Sequence, residues 1–135
     1  MSEEEQNSKA TILIADDFDG WRLQVRKMLQ RHPEWKVVGE ACDGREAVEK
    51  ASQLQPRIAI LDVSMPGLNG IEAARQIRQR CLRTRIIFLT QQTDEEAMEA
   101  ARAAGGSAYV LKTNSAIDLP RAIAAALQSA PADSP

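Results

Sequence analysis

Asp16 and Asp17 stand side by side after the apolar run TILIA (Thr11–Ala15), and Asp62 follows RIAIL (Arg57–Leu61). Thr90 follows RIIFL (Arg85–Leu89), and Lys112 follows SAYVL (Ser107–Leu111). Three carboxylates gathered at one place repel one another, so a cation belongs among them. Hard oxygen ligands that retain waters suit Mg²⁺, and Lys112 adds a fixed positive charge. A carboxylate is also a nucleophile toward phosphorus, giving an aspartyl phosphate. Mg²⁺, Lys112 and the Thr90 hydroxyl would then stabilise charge on the transferring phosphoryl group. Each residue alone has an ordinary explanation. Asp16, Asp17 or Asp19 could cap a helix, Asp62 could open a loop, Thr90 could be a strand-end hydroxyl and Lys112 a solvated charge. None of these explains why all five fall at the ends of apolar runs.

The elements that must position them alternate along the chain. A further run, KVVGEA (Lys36–Ala41), makes five, and four of the five are apolar almost without alternation, as strands buried on both faces of a parallel sheet are. Helical spacing lies between them. Trp21, Val25, Met28 and Leu29 form one stripe, with Trp21 expected in the core. Ala47, Val48, Ala51 and Leu54 form the next, after an Asp43–Glu46 capping box. Leu68, Ile71 and Ala74 mark a third helix. Ala97, Ala100, Ala101 and Ala104 follow Thr93, with Glu96 as its box partner and Gly105-Gly106 as the stop, and Ala122–Leu127 mark a fifth. Close helix–sheet packing accounts for the alanines.

Five strands, each followed by a helix, predict an α/β fold: a (βα)5 doubly wound parallel sheet of order 2-1-3-4-5, flavodoxin-like. Strands 1 and 3 are then neighbours at the switch point, and ligands bind beyond their carboxyl ends. All five candidate residues lie on that edge.

The 135 residues suit one domain, and 44% hydrophobic with 27% charged residues is ordinary globular usage. We expect a flexible N-terminal segment at 1–10, a domain at 11–128, and a tail or the start of a linker at 129–135. Lys+Arg 17 against Asp+Glu 19 gives −2, which predicts no direct nucleic-acid binding and no attraction to an anionic membrane. No apolar run approaches the length of a membrane span, and the acidic N-terminus is unlike a signal peptide, so a cytoplasmic location is expected. Cys42 and Cys81 are expected as thiols, and one histidine without a Cys/His cluster argues against structural zinc. His32 is expected to contact helix-end carbonyls, Trp35 to lie at a surface or edge, and Arg78, Arg80, Arg83 and Arg85 to form a solvated basic face.

ILIADD, LDVSMPGLNG, FLT and AYVLK together resemble the signature of response-regulator (CheY-like) receiver domains of two-component signalling, over roughly Thr11 to Gln128. GGSAYVLKT and EACDGREAVE are most similar to the NarL/FixJ subgroup, whose receivers usually precede a helix-turn-helix DNA-binding domain. The resemblance implies that Asp62 is the phosphoacceptor. Asp17 matches a direct Mg²⁺ ligand, Asp16 one acting through water, and the Ser64 backbone carbonyl the remaining ligand. Thr90 matches the hydroxyl that moves toward the phosphoryl group, Tyr109 the aromatic switch that follows it, and Lys112 the lysine that contacts the phosphate. It also implies a histidine kinase or phosphotransfer protein as donor and an output domain or partner protein as recipient of the signal. Such a domain assists its own phosphorylation and dephosphorylation without being an enzyme. Phosphorylation-dependent homodimer formation is a hypothesis at this point.

The sequence departs from the family pattern at three positions. Gln91 follows Thr90 where a small residue is usual, which would narrow the pocket. Thr113 follows Lys112 where many receivers carry proline. Pro120 falls where the last helix should be running, so that helix is expected to start at Asp118 or to kink. Two other readings are weighed. Asp17-Phe18-Asp19-Gly20 mimics the D-x-D-G motif of haloacid-dehalogenase-like phosphatases, with Asp17 as nucleophile, although Trp21 replaces the usual hydroxyl residue. The other is a pseudo-receiver, an interaction module that never accepts phosphate.

Overall fold

The computed structural model describes residues 9–128. Five strands alternate with five helices: β1 (Ala10–Ala15), α1 (Asp19–Leu29), β2 (Trp35–Ala41), α2 (Gly44–Leu54), β3 (Ile58–Leu61), α3 (Gly70–Arg80), β4 (Arg85–Thr90), α4 (Glu95–Ala103), β5 (Gly106–Leu111) and α5 (Ser115–Gln128). The strands form one parallel sheet in the order β2-β1-β3-β4-β5. β1 therefore sits between β2 and β3, and the chain reverses its direction of winding there.

The apolar runs feed both faces of this sheet. Ile12, Ile14, Ile58, Ile60, Ile87 and Leu89 pack with Val25 and Leu29 of α1 and Leu119, Ile123 and Ala126 of α5. Leu13, Ala15, Ala59, Leu61, Ile86 and Phe88 pack with α2, α3 and α4, which present mainly alanines: Ala47, Ala51, Ala73, Ala74 and Ala101. Alternation along each strand sends neighbours to opposite faces, and both faces are covered, so the strands read as unbroken apolar runs. Small side chains let α2–α4 approach the sheet closely.

Local chemistry sets the helix starts. Asp43 accepts a 2.8 Å hydrogen bond from the Glu46 amide, and Glu46 accepts one of 2.7 Å from the amide of Cys42, one residue before the cap. Asn69 caps α3 by accepting from the Glu72 amide at 2.9 Å. The cap of α4 is Asp94, which accepts from the Ala97 amide, and not Thr93 as the spacing had suggested. A carboxylate one residue later serves the same orphan donors with full charge.

Other expectations are corrected by packing. β1 begins at Ala10, so that residue belongs to the sheet and not to an N-terminal segment 1–10. The rest of that segment before Lys9, and the tail 129–135, lie outside the described residues. Leu68 precedes α3 and only packs against its core. Leu54, at the end of α2, is exposed. α5 starts at Ser115 and carries Pro120 inside it, instead of starting at Asp118. Proline removes the N–H that would serve Ala116, but Ala116 is exposed to water, while Leu119 and Ile123 keep the helix on the sheet. No peptide bond among the described residues is cis, so none follows Lys112.

Trp21 is half-buried and outside the core. The His32 ring stacks on Trp35 at 4.2 Å and its Nδ1 lies 3.7 Å from Glu34, in place of the expected helix-end carbonyl contact. Arg78 is half-buried against Gly105 and Arg85 half-buried in β4, which reduces the basic face to Arg80 and Arg83. Cys42 and Cys81 are free thiols. No helix among the described residues is long and apolar enough to cross a membrane.

Candidate functional site

The sheet ladder continues past the ends of β1 and β3. The Asp16 amide donates to the Ala41 carbonyl at 3.0 Å and the Asp62 amide to the Ala15 carbonyl at 3.1 Å, which pins both aspartates side by side at the carboxyl edge. Lys112 leaves β5 as the first residue of a short 3₁₀ turn, Lys112–Asn114. Its Nζ reaches across the edge to Asp16 Oδ2 at 2.7 Å and Asp62 Oδ2 at 2.8 Å. All three side chains are buried. Trp21 covers the ammonium, with the ring centroid 5.0 Å from Nζ.

Carboxylate oxygens of Asp16, Asp17 and Asp62 lie within 4.8 Å of one another. Lys112 compensates one of three negative charges. Burial drives the Asp16 carboxyl above its ordinary range, reinforced by the Asp62 charge and opposed by hydrogen bonds from Lys112 and the Phe18 amide. Burial acts to lower the Lys112 value, but the hydrogen bonds and charges of Asp16 and Asp62 outweigh it and raise it, so the ammonium stays charged. Asp17 is exposed, and among the described residues no side chain pairs with it. A cluster of hard carboxylate oxygens with surplus negative charge and one open ligand fits a divalent cation such as Mg²⁺.

An open cleft of about 570 Å³ leads to this cluster, lined by Asp17, Ser64, Met65, Pro66 and Gln92 among others. The Ser64 amide donates to Asp62 Oδ1 at 3.2 Å, and Gly67 takes a positive φ of 72° that turns the chain back toward α3. Gly70 lets α3 approach the end of β3: its amide donates to the Val63 carbonyl at 2.8 Å, and a Cβ there would meet the Asp62 carbonyl oxygen at 1.8 Å.

The structure thus brings together Asp16, Asp17, Asp62 and Lys112, with Ser64 beside them. Thr90 and Tyr109 are joined differently, through Gln92. The buried Thr90 Oγ1 accepts from the Gln92 amide at 3.3 Å, the Tyr109 hydroxyl donates to the Gln92 carbonyl at 3.0 Å, and the Gln92 side-chain amide reaches the Ser64 hydroxyl. Burial, with the Asp94 and Asp62 charges, raises the Tyr109 phenol above its usual value and keeps it a donor. Gln91, expected to narrow the pocket, is exposed and does not line the cleft; its neighbour Gln92 does. Gln92, Trp21 and Arg22 are the site residues that sequence reasoning missed. The only signal was a polar Gln91-Gln92-Thr93 stretch after Thr90. Asp19, the second acid of the phosphatase-like motif, pairs with Arg22, is largely exposed and is not among the clustered Asp16, Asp17 and Asp62.

The model of the response regulator receiver domain matches residues 12–124. The chain is 36% identical over 114 residues to the nitrate/nitrite response regulator protein NarL of Escherichia coli K12, covering 84% of this chain and 53% of that protein. It is also 36% identical over 120 residues to the transcriptional regulatory protein LiaR of Bacillus subtilis, covering 89% and 57%. The chain spans about half the length of these curated relatives. Among solved structures, a LuxR-family two-component response regulator from Aurantimonas sp. SI85-9A1 superposes with a TM-score of 0.85 at 37% identity, over 95% of this chain and 91% of that one. The response regulator domain of Thermotoga maritima CheB gives 0.84 at 32%, over 91% and 99%. The chain therefore belongs to the response regulator receiver domain family of two-component signalling, among relatives of the NarL/LuxR type.

Proposed function

We propose that Asp62 accepts a phosphoryl group from a histidine kinase, a phosphotransfer protein or a small acyl phosphate. The observation that carries this reading is the ion pair of Lys112 with Asp62, set beside Asp16 and Asp17 at the mouth of an open cleft. Lys112 fixes Asp62 Oδ2 and leaves Oδ1, held among the described residues only by the longer Ser64 amide bond, to attack phosphorus. An O–P bond forms while the P–N bond to a donor imidazole, or the P–O bond of an acyl phosphate, breaks and the leaving group departs. Bound at Asp16, Asp17, Asp62 and the Ser64 carbonyl, Mg²⁺ would neutralise charge on the phosphoryl oxygens. Buried Lys112 supplies a second positive charge that needs no rearrangement to act.

The added phosphoryl brings roughly −1.5 to −2 charges to the end of β3. The Thr90 hydroxyl, now an acceptor for the Gln92 amide, turns to donate to it. That turn releases Gln92, and with it the acceptor held by Tyr109. Tyr109 also lines a concavity of about 520 Å³ between α4, β5 and α5, so this surface is where the change is read by a partner or output domain. Converting a mostly-off to a mostly-on population needs a differential of roughly 5.5 kcal/mol. The name of LiaR, a transcriptional regulatory protein, supports control of transcription by a longer regulator. On our reading that regulator works in the cytoplasm, with this domain as a self-assisting phosphoacceptor and pairing of two copies as one output.

Incubation with acetyl phosphate and Mg²⁺, followed by intact mass, tests the reading. A hydroxylamine-labile gain of one phosphoryl group is expected, absent from Asp62→Asn and reduced in Asp17→Asn. Labelling that survives Asp62→Asn refutes Asp62 as the acceptor.

A further inference from the structure

Arg22 on α1 lies outside the acidic cluster, yet it is the residue most fully engaged with the loop that carries two of its members. Its Nη1 donates to the backbone carbonyl of Asp16 at 2.6 Å, and its Nη2 reaches Asp19, so one guanidinium grips both ends of the Asp16–Asp19 loop. The third arm, Nε, donates to Glu40 Oε1 of β2 at 3.2 Å, and Arg26 pairs with the other oxygen of the same carboxylate. The Arg22 side chain is only 15% exposed. From inside the loop, Asp16 Oδ1 accepts from the Phe18 amide at 2.9 Å. Asp17, which has no side-chain partner among the described residues, is carried between these anchors.

We infer that Arg22 is a positioning residue for the divalent cation: by holding the Asp16 carbonyl it fixes the backbone that aims Asp17 into the cleft, and Glu40 in turn holds Arg22. This rests on the reading of the acidic cluster as a cation site. A planar fork with donors in three directions does this work; an ammonium cannot span the same three acceptors. Outer partners of this kind commonly change metal affinity by about 10–100-fold when removed.

Charge and geometry make opposite predictions here. A guanidinium near a cation site repels the cation, so removing its charge should tighten binding if electrostatics alone operates. If Arg22 positions the loop, removing it weakens binding.

The test is a titration of the full chain with Mn²⁺, counting free ion by its electron paramagnetic resonance signal, then displacement by Mg²⁺. Arg22→Lys, Arg22→Met, Glu40→Gln and Asp17→Asn are compared with the parent, each with a urea melt. The expected result is roughly 10-fold weaker binding in both Arg22 variants, with a smaller loss in Glu40→Gln that follows the loosened fork. Arg22→Lys keeps the charge, so its loss reports the fork alone, and Glu40→Gln leaves Arg22 in place should Arg22→Met not fold. Unchanged or tighter binding in folded Arg22→Lys and Arg22→Met overturns the inference while Asp17→Asn still abolishes binding. No displaceable Mn²⁺ in the parent overturns the cation site itself, and the inference with it.

Discussion

Gly70→Ala sets two effects of opposite sign against each other. On propensity alone, alanine in a helix should stabilise by about 0.5–1 kcal/mol. The tertiary contact says otherwise. A Cβ at Gly70 would lie 1.8 Å from the Asp62 carbonyl oxygen and 2.7 Å from its carbonyl carbon, where real Cβ contacts do not fall below 3.0 Å. Both neighbours are backbone, so no flexible side chain can yield. α3 or the end of β3 must retreat by more than 1 Å, and the buried face of α3, formed by Ala73, Ala74 and Ile77, retreats with it. A gap of that size forfeits roughly a quarter to a half of each dispersion contact, and overpacking of this kind costs about 1–3 kcal/mol or somewhat more. The net expectation is a loss of roughly 1–2 kcal/mol, a fall in Tm of about 5–10 °C for a domain this size. Urea denaturation followed by circular dichroism measures it, and an unchanged slope would show a change in stability with no change in the surface exposed on unfolding. Displacing the Asp62 backbone also slackens its pairing with Lys112, so acetyl phosphate labelling should fall in parallel. Equal or greater stability in Gly70→Ala would refute the reasoning.

Three further outcomes are expected. Glu46 is held below the ordinary carboxylate range chiefly by the Cys42 amide, with burial opposing, so its contribution to stability is present above its unfolded value and is lost as pH falls through the lowered folded one. Glu46→Gln should therefore cost about 0.5–1 kcal/mol at neutral pH and progressively less as the pH is taken down below the ordinary carboxylate range, read from urea midpoints across an acid pH series. Thr84 is buried and donates to the Pro56 carbonyl at 2.6 Å; Thr84→Val leaves that acceptor unpaired and should cost about 1–2 kcal/mol in the same melts. With Ellman's reagent, exposed Cys42 should react in the folded protein and buried Cys81 only on unfolding. The hydrogen bond and charge of Glu46 raise the Cys42 thiol, so Glu46→Gln should speed the Cys42 reaction near neutral pH, and an unchanged rate would discount that contact.

Much of the fold was legible because its causes are local or topological. Apolar runs without alternation imply a sheet covered on both sides, and parallel strands joined by right-handed crossovers must end on the same edge. That rule alone gathers Asp16, Asp17, Asp62, Thr90 and Lys112 at one edge. The Asp43–Glu46 box was equally legible, since a cap and its partner are fixed by helix geometry over four residues. What tertiary structure decided depends on loop paths and on which way side chains turn within them. Asp94 displaced Thr93 as the cap of α4 because the loop placed its carboxylate over the first turn. Trp21 turned from the core to lie on Lys112, whose charge offers its ring a partner that spacing along α1 cannot reveal. Pro120 sits within α5 because burial of Leu119 and Ile123 outweighs one missing hydrogen bond. Gln92 became the link between Thr90 and Tyr109, and Arg22 the grip on the Asp16 loop, through backbone groups whose positions exist only once the sheet has formed. Residue order settles which chemical groups share the edge of the sheet; the folded backbone sets which of them touch, because hydrogen bonds to main-chain atoms outside a regular helix turn leave no pattern in residue spacing.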